Sequence, residues 1–131
     1  MRILIVEDDF ASRKFMMDYM AKHGECDGTV DGKEAVEAFM MAIDDDEPYD
    51  LICLDIMMPE MDGYQVLKAI REIEKEEGIS KKDQVRVIMM TALSEEKNVK
   101  KAFDMGASVY CNKPVDTKRL EEAMRKLKLI K

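Results

Sequence analysis

Several acidic side chains follow apolar segments of this sequence, at places where carboxylates could do chemistry. Glu7, Asp8 and Asp9 follow the apolar residues 3–6, and Asp55 follows the apolar residues 51–54. Clustered carboxylates repel one another and are held ionised only by a cation. Magnesium suits them, because it takes oxygen ligands, keeps several waters and often joins one or two carboxylates to a phosphate. If the two segments meet, these residues predict a magnesium site that can hold a phosphoryl group.

Asp55 and two further residues fit phosphoryl chemistry. The carboxylate of Asp55 is an acceptable nucleophile toward phosphorus. Lys113, together with magnesium, would neutralise the charge of the transferring group, and Thr91 would donate a hydrogen bond to one of its oxygens. Taken alone, Asp55 could equally be an aspartate that caps a turn, since aspartate is common in turns. The arrangement of the whole chain decides between these interpretations.

The elements that must position these residues alternate along the chain. Strands are predicted at residues 3–6, 25–30, 51–54, 85–90 and 108–112, with the second near an edge of the sheet. Helices are predicted at residues 10–23, after Asp31, at residues 63–75 and 94–105, and after Asp116. Strict alternation predicts a parallel sheet with right-handed crossovers. Five strands favour the flavodoxin-like order 2-1-3-4-5, an α/β three-layer sandwich with five helices.

This topology brings the chemistry together, because the carboxyl ends of parallel strands lie at one edge of the sheet. The first strand ends in the acids, the third in Asp55, the fourth in Thr91 and the fifth near Lys113. A carboxylate cluster, a hydroxyl and an ammonium group are therefore expected to converge.

Helical spacing also predicts the apolar face of each helix. The positions, in chain order, are Ala11, Phe15, Tyr19 and Met20; Ala35, Val36, Phe39, Met40 and Ile43; Val66, Leu67, Ile70 and Ile73; Val99, Ala102 and Phe103; Leu120, Ala123, Met124 and Leu127. Gly24 is expected to end the first helix, and Asp31 with Glu34 has the spacing of a capping box. The fourth helix has the thinnest stripe and is expected to be the least firmly held.

Composition narrows the possible functions. The 131 residues carry a net charge of -7, which argues against a general nucleic-acid-binding surface and favours a cationic ligand. No run approaches transmembrane length. The three cysteines have no metal-type spacing and are expected to be thiols in a reducing compartment, by default the cytoplasm. The acidic residues 44–47 lack the pattern of a calcium loop and predict a solvated loop.

In these motifs the sequence resembles the receiver domains of two-component response regulators, the CheY-like family. The motifs that carry the resemblance, in order, are Glu7-Asp8, Asp55 followed by Pro59, Asp62-Gly63, Thr91-Ala92, and Tyr110 three positions before Lys113-Pro114. Each motif alone is common, but they occur in register over essentially the whole chain. The resemblance implies a single receiver domain over residues 1–131, without an effector domain.

The resemblance also implies roles for the residues of the site. Asp55 would be the phosphoacceptor and Lys113 would pair with the phosphoryl group, through a cis bond to Pro114. Asp8 would be a direct ligand of Mg²⁺, for which Mn²⁺ could substitute. Glu7 would act through water, and the main-chain carbonyl of Met57 would be a further ligand. Asp9 lies one position past the family's acid pair and is expected to cap the following helix.

Thr91 and Tyr110 resemble the switch pair of the family. Phosphorylation would draw Thr91 toward the phosphoryl group, and Tyr110 could then move into the vacated space. The readout would be the face formed by the fourth helix, fifth strand and fifth helix. The alternatives are that Tyr110 is a fixed aromatic at a sheet edge and that Thr91 is only a strand-end hydroxyl.

The implied partners are proteins. A histidine kinase or histidine phosphotransfer protein would supply the phosphoryl group, and an unknown downstream protein would bind the switched face. Neither nucleic acid nor membrane is expected, and the chain would be a monomer or weak dimer. It would not be an enzyme beyond assisting its own phosphotransfer and slow autodephosphorylation, because the apolar Met57 and Leu93 cannot orient an attacking water.

Three rival functions remain to be weighed against this one. An aspartyl phosphatase typically has a second acid two residues after its nucleophile, where Met57 stands here. A flavin or nucleotide carrier needs a glycine-rich loop after the first strand, where three acids stand instead. A module that ignores phosphorylation would not need the complete acceptor set. The one histidine, His23, is expected to interact with the end of the first helix rather than carry phosphate.

Overall fold

The computed structural model of the chain describes residues 1–92 and 96–131, without the side chains of Glu96 and Lys97. Strands and helices alternate along it, and a short 3-10 helix, Lys81–Asp83, precedes the fourth strand. The strands are β1 (Arg2–Val6), β2 (Glu25–Thr29), β3 (Leu51–Asp55), β4 (Arg86–Thr91) and β5 (Val109–Asn112). The α-helices are α1 (Phe10–Met20), α2 (Gly32–Asp44), α3 (Gly63–Glu76), α4 (Glu96–Asp104) and α5 (Thr117–Lys126).

The strands form one parallel sheet in the order β2-β1-β3-β4-β5, which confirms the predicted flavodoxin-like topology. β2 lies at one edge, as its weak pattern predicted, and β5 lies at the other. The register aligns the carboxyl ends, with Val6 opposite Leu54 and Asp55 opposite Met90. The residues that follow these strands therefore start from the same edge of the sheet.

The core occupies both faces of the sheet, because alternate residues of a strand point to opposite faces. Leu4 and Val6 pack with α2, α3 and Ala102 of α4, whereas Ile3 and Ile5 pack with α1 and α5. All five residues of β3 are buried, as the unbroken apolar run predicted for a strand covered on both faces. The central strand that ends in Asp55 is thus the most enclosed part of the scaffold.

The predicted apolar face of α1 is partly wrong. Its buried residues are Met16 and Met20, whereas Ala11 is exposed and Phe15 is 48% exposed. Apolar side chains surround most of this helix, so their spacing does not single out one face. The packing of α1 against the sheet buries Met20, as predicted, and Met16, which was not predicted.

The predicted end of α1 is also wrong. The helix ends at Met20, three residues before the predicted end at His23. His23 lies in the turn that follows, where its main-chain N–H donates to the carbonyl of Met20. Its ring meets that of Tyr19 edge-on, and Nε2 is buried without a hydrogen-bond partner in the structure. It therefore packs beside the helix end rather than forming its last turn.

The other helices follow their predicted faces more closely. In α3, Val66, Leu67 and Ile70 are fully buried. In α2, Met40 is 48% exposed, which corrects the prediction, and Ala42 is buried in its place. The sequence from residue 38 to 43 is continuously apolar, so periodicity could not separate these two positions. In α4, Ala102 is buried as predicted, but Phe103 is 46% exposed, which corrects its predicted place on the apolar face.

In the described part of the chain, an aspartate occupies the N-cap position of four helices. Asp9, Asp31, Asp62 and Asp116 each accept a hydrogen bond from a main-chain N–H in the first turn, which satisfies a donor that the helix itself leaves free. At Asp31 this is half of the predicted capping box. The complete box forms at Asp62 with Gln65. None of the helices in the described part of the chain is long and apolar enough to cross a bilayer.

Candidate phosphoryl-acceptor and metal site

Three carboxylates meet where β1 and β3 end. Glu7, Asp8 and Asp55 each place one oxygen within 4.8 Å of the others. Glu7 and Asp55 are buried, and Asp8 is exposed to solvent. The convergence predicted from the strand order is therefore present. Oxygen donors of this kind, two enclosed and one open to water, fit a hard divalent cation such as Mg²⁺.

Lys113, which follows the edge strand β5, completes the group. Its Nζ lies 2.7 Å from Oε2 of Glu7 and 3.2 Å from Oδ1 of Asp55. Its main-chain N–H donates to the carbonyl of Thr91, so the pairing of β4 with β5 fixes where the lysine starts. The bond from Lys113 to Pro114 is cis, as the resemblance implied. One ammonium group thus contacts two of the three carboxylates.

The loop after Asp55 is held close against the end of β3. The main-chain N–H of Ile56 donates to Met90, and that of Gly63 donates back to Ile56. A Cβ atom at Gly63 would lie 2.6 Å from the carbonyl oxygen of Asp55, so only glycine fits here. Because Asp62 caps α3 at the same point, the helix begins directly beside the acceptor.

The environment of Asp55 makes its ionised form less favourable than that of an aspartate in water. Burial, and then the charge of Glu7, raise the pKa of Asp55 to about 6, although Lys113 and a main-chain hydrogen bond from Met57 oppose this. Burial by itself would lower the pKa of Lys113, but its bond to Glu7 and the charges of Asp55 and Glu7 raise it overall. The ammonium therefore stays charged while the acids around it remain under-neutralised.

Glu7 and Asp9 have different positions although they stand two residues apart. Glu7 is 1% exposed, and its Oε1 accepts a hydrogen bond from the main-chain N–H of Asp9 at 3.2 Å. The carboxylate of Asp9 points away and accepts from the N–H of Ser12 at 2.9 Å. The predicted capping role of Asp9 is confirmed, and its side chain is not one of the three that converge.

Thr91 and Tyr110, the predicted switch pair, lie on the neighbouring strands β4 and β5. Thr91 is the last residue of β4 and is fully buried, and Tyr110 is partly buried on the edge strand β5. Burial raises the pKa of Tyr110, and the nearby Tyr64 raises it further. Whether the pair switches stays a prediction.

Sequence reasoning missed Tyr64, which links the acceptor loop to α4. Tyr64 follows Gly63 directly, and its hydroxyl donates to the carbonyl of Asn98 at 3.2 Å. The Nζ atom of Lys101 lies 4.3 Å from the centre of its ring, in cation–π contact. The only sequence signal was an aromatic residue in the first turn of a helix, which is too common to single out.

Two positions were expected to tune the lifetime of a phosphoryl group. The side chain of Met57 is 59% exposed beside the acceptor loop. Leu93 lies outside the described residues. A polar group that could orient water is therefore lacking at the first of these positions.

Comparisons with known proteins agree with this arrangement. A profile of the response regulator receiver domain matches residues 3–125. The chain is 34% identical over 127 residues to the chemotaxis protein CheY of Bacillus subtilis, covering 95% of each protein. It is 35% identical to probable histidine kinase 2 of Oryza sativa, covering 95% of this chain but 12% of the kinase.

A solved structure shows the same fold at similar identity. It is CheY of Borrelia burgdorferi in a complex with CheX, BeF3 and Mg²⁺, with a TM-score of 0.80 and 30% identity. The match covers 99% of this chain and 90% of that one. The resemblance extends over the whole sheet and the edge at which the acids converge.

Proposed function

We propose that Asp55 accepts a phosphoryl group from a partner phosphohistidine. The proposal starts from the family: the chain belongs to the response regulator receiver family and is a receiver domain of a two-component system. The observation that carries this proposal is the geometry around Asp55. A buried carboxylate stands among two other acids, with an ammonium group 3.2 Å away. The donor would be a histidine kinase or a histidine phosphotransfer protein, with the cytoplasm as the compartment.

The transfer itself requires one bond to form and one to break. A carboxylate oxygen of Asp55 attacks phosphorus, and the bond from phosphorus to the imidazole nitrogen breaks with its electron pair staying on nitrogen. The product is an acyl phosphate on Asp55. Lys113 already contacts Asp55, and it can pair with an oxygen of the added group without a large movement.

The same residues would hold a magnesium ion. Asp8 is the open ligand, Asp55 is the second, and the main-chain carbonyl of Met57 is a third; Glu7 acts through water because Lys113 and Asp9 occupy its oxygens. A bound Mg²⁺ would supply charge neutralisation for the acceptor and the phosphoryl oxygens. Mn²⁺ is expected to substitute, since it also takes oxygen ligands.

The signal would leave the site through α4, β5 and α5. Thr91 would turn toward the phosphoryl group, and Tyr110 would move inward. Tyr64 offers a second connection, because it joins the acceptor loop to Asn98 and Lys101 of α4. A groove of about 470 Å³, lined by Phe103, Val109 and Arg119 among others, lies on this face and could receive a downstream protein.

The phosphoryl group is expected to persist on Asp55. The side chain of Met57 has no polar group that could hold a water in line for attack. The half-life of the phosphorylated protein in magnesium, followed by loss of radiolabelled phosphate, measures this. A half-life of seconds would contradict slow autodephosphorylation.

The proposal is tested by incubation with magnesium and acetyl phosphate, followed by mass spectrometry of the intact protein. The wild-type protein should gain the mass of one phosphoryl group, and Asp55→Asn should gain none. Asp44→Asn, at an exposed aspartate that ends α2, is the matched control and should behave as wild type. If Asp55→Asn is phosphorylated as well as wild type, Asp55 is not the acceptor.

A further inference from the structure

Arg13 makes contacts that its place in the sequence did not foreshadow. It lies in the second turn of α1, and its guanidinium Nη1 donates to the main-chain carbonyl oxygen of Glu7 at 2.9 Å. The same nitrogen lies 3.5 Å from the carbonyl oxygen of Asp8. The two residues whose side chains face Asp55 are thus held through their backbone by one arginine.

The path of the Arg13 side chain is confined on two sides. Its stem passes over Gly28 of β2, where an added Cβ would lie 3.6 Å from Cδ of Arg13 and 3.1 Å from the sulfur of Met17. Its guanidinium carbon lies 5.6 Å from the centre of the Phe10 ring. The arginine stem thus runs along the edge strand at van der Waals distance, and an aromatic ring flanks its charged end.

The other contacts of this loop explain why the two carbonyls matter. The N–H of Glu7 donates to Thr29, and the N–H of Asp9 donates to the Glu7 side chain. These bonds hold the N–H groups at each end of the acidic segment. Arg13 contacts the main-chain carbonyl oxygens of Glu7 and Asp8, so it restrains the two peptide units that follow these residues, and the direction of their side chains depends on it.

Arg13 also places a positive charge near the three consecutive acidic residues 7–9. Three consecutive carboxylates repel one another, and the nearby guanidinium reduces that repulsion without occupying their oxygens. Lys113 occupies oxygens of Glu7 and Asp55, whereas Arg13 contacts main-chain carbonyls and takes up no carboxylate oxygen. An arginine bound to the backbone supports the segment and leaves the carboxylate of Asp8 open to solvent.

We propose that Arg13 is a positioning residue for the magnesium site, which holds Glu7 and Asp8 in place before the ion binds. The inference rests on the proposed function, because it assumes that these acids receive magnesium. Residues that orient metal ligands without touching the metal typically change its affinity by 10-fold to 100-fold. Loss of Arg13 should therefore raise the magnesium concentration needed for half-saturation by about tenfold.

The test compares Arg13→Gln, Arg13→Lys and Lys14→Gln. Lys14 is the neighbouring cation on α1, and its partner is the exposed Asp18, so Lys14→Gln controls for loss of one charge from this helix. Magnesium binding is measured by calorimetry and by the rise in melting temperature with magnesium, neither of which needs phosphoryl transfer. The phosphorylation rate by acetyl phosphate is measured separately across the same magnesium range.

Arg13→Gln is expected to shift half-saturation about tenfold while the rate at saturating magnesium stays within about twofold of wild type. Arg13→Lys, which keeps a donor but not the planar fork, is expected to fall between Arg13→Gln and wild type. If Arg13→Gln only lowers the melting temperature and shifts half-saturation no more than Lys14→Gln, the residue is structural and the inference is wrong.

The two proposals fail in different ways. If wild type binds magnesium and is phosphorylated but the Arg13 variants match the control, only the inference about Arg13 is overturned. If wild type itself does not respond to magnesium, the proposed function and the inference are overturned together.

Discussion

Two glutamates are almost completely buried, at opposite ends of the sheet, and they differ in how their charge is compensated. Glu7 follows the carboxyl end of β1, and Glu74 lies beside Val85 at the start of β4; each is 1% exposed. Glu74 accepts from Arg71 at 2.6 Å with one oxygen and from the N–H of Val85 at 2.7 Å with the other. Each of its oxygens has a strong donor of its own.

Arg71 is equally well satisfied. It donates to the carbonyl oxygens of Val85 and Gly106 as well as to Glu74, and so joins α3, β4 and the turn before β5. One cation here faces one anion, and their hydrogen-bonding capacity is used within the protein. Such a pair can hold elements together, but it leaves no charge with which to attract a ligand.

Glu7 has a different environment. Lys113 is shared between Glu7 and Asp55, and Asp8 lies within the same group. Three carboxylates therefore compete for one ammonium in the described part of the chain. The comparison teaches that burial of an acid does not mark a functional site, whereas incomplete neutralisation of a group of acids does.

The largest effect is expected when Glu74, the glutamate with a complete set of partners, is replaced. Glu74→Gln leaves the partly buried guanidinium of Arg71 without its anion and should lower the free energy of unfolding by about 3 kcal/mol. Urea denaturation measures this, and Glu72→Gln, at an exposed position of the same helix, should change stability by less than about 0.5 kcal/mol. The magnesium response of Glu74→Gln should be unchanged; a loss of that response would mean that the two ends are coupled.

Magnesium should do for the Glu7 group what Arg71 does for Glu74. At about 100 times its dissociation constant, a ligand that binds only the folded state raises the free energy of unfolding by about 2.7 kcal/mol. Asp8→Ala should remove most of this gain, because it deletes the open ligand, and Asp44→Ala should keep it. Thermal melts with and without magnesium measure the difference. An undiminished gain in Asp8→Ala would place the ion elsewhere.

The pH dependence of the metal-free protein sharpens the comparison. The pKa of Asp55 is raised from 3.8 to about 6, so the folded state keeps its proton after the unfolded state has lost it. The contribution of Asp55 to stability therefore falls as pH rises from about 4 to about 6, and it is constant above that range. The charged groups that face Asp55 are Glu7, Asp8 and Lys113.

Asp55→Asn removes this penalty and should stabilise the metal-free protein at pH 7 by about 2 to 3 kcal/mol, because the pKa difference, which already includes the attraction of Lys113, corresponds to a free energy of that size. The difference between the two proteins, measured by urea denaturation with a chelator, should vanish near pH 4. A difference that does not change with pH would show that Asp55 is not under strain from its neighbours.

The smallest expected effect separates Asp9 from the acids beside it. Asp9→Ala removes a helix cap and should lower the free energy of unfolding by about 1 kcal/mol, as should Asp31→Ala at the start of α2. Magnesium half-saturation should stay within about twofold of wild type in both variants, in contrast to Asp8→Ala. A large loss of magnesium affinity in Asp9→Ala alone would bring Asp9 into the site.

The sheet and the acid cluster were predictable because local patterns were enough to place them. An apolar run that ends in a carboxylate defines both a strand and its end, and strict alternation then fixes which ends meet. The cap at Asp9 and the edge position of β2 follow from the same local signals. The predicted convergence of Asp55, Glu7, Asp8 and Lys113 is therefore present in the structure.

What could not be predicted depended on contacts between distant elements. Arg71 and Glu74 are three residues apart on a helix and look like an ordinary surface pair; only the approach of Val85 and Gly106 buries them. Arg13 reads as one more surface cation until the carbonyl of Glu7 is placed beside it. In α1, apolar residues on all sides left the choice of Met16 over Phe15 to the packing against the sheet.

The parallel pairing of the strands has a consequence for how the chain reaches this structure. In β1, Arg2 pairs with Glu25 and Ile3 pairs with Leu51. Each of these pairings closes a long loop of chain, and the entropy cost of that closure must be met when the pairing forms. Sheets built from such distant pairings fold slowly compared with helical bundles. Lys113 follows β5, so its ammonium group can reach Glu7 and Asp55 only after β5 has paired with β4, and the acids must come together before their counter-charge is in place.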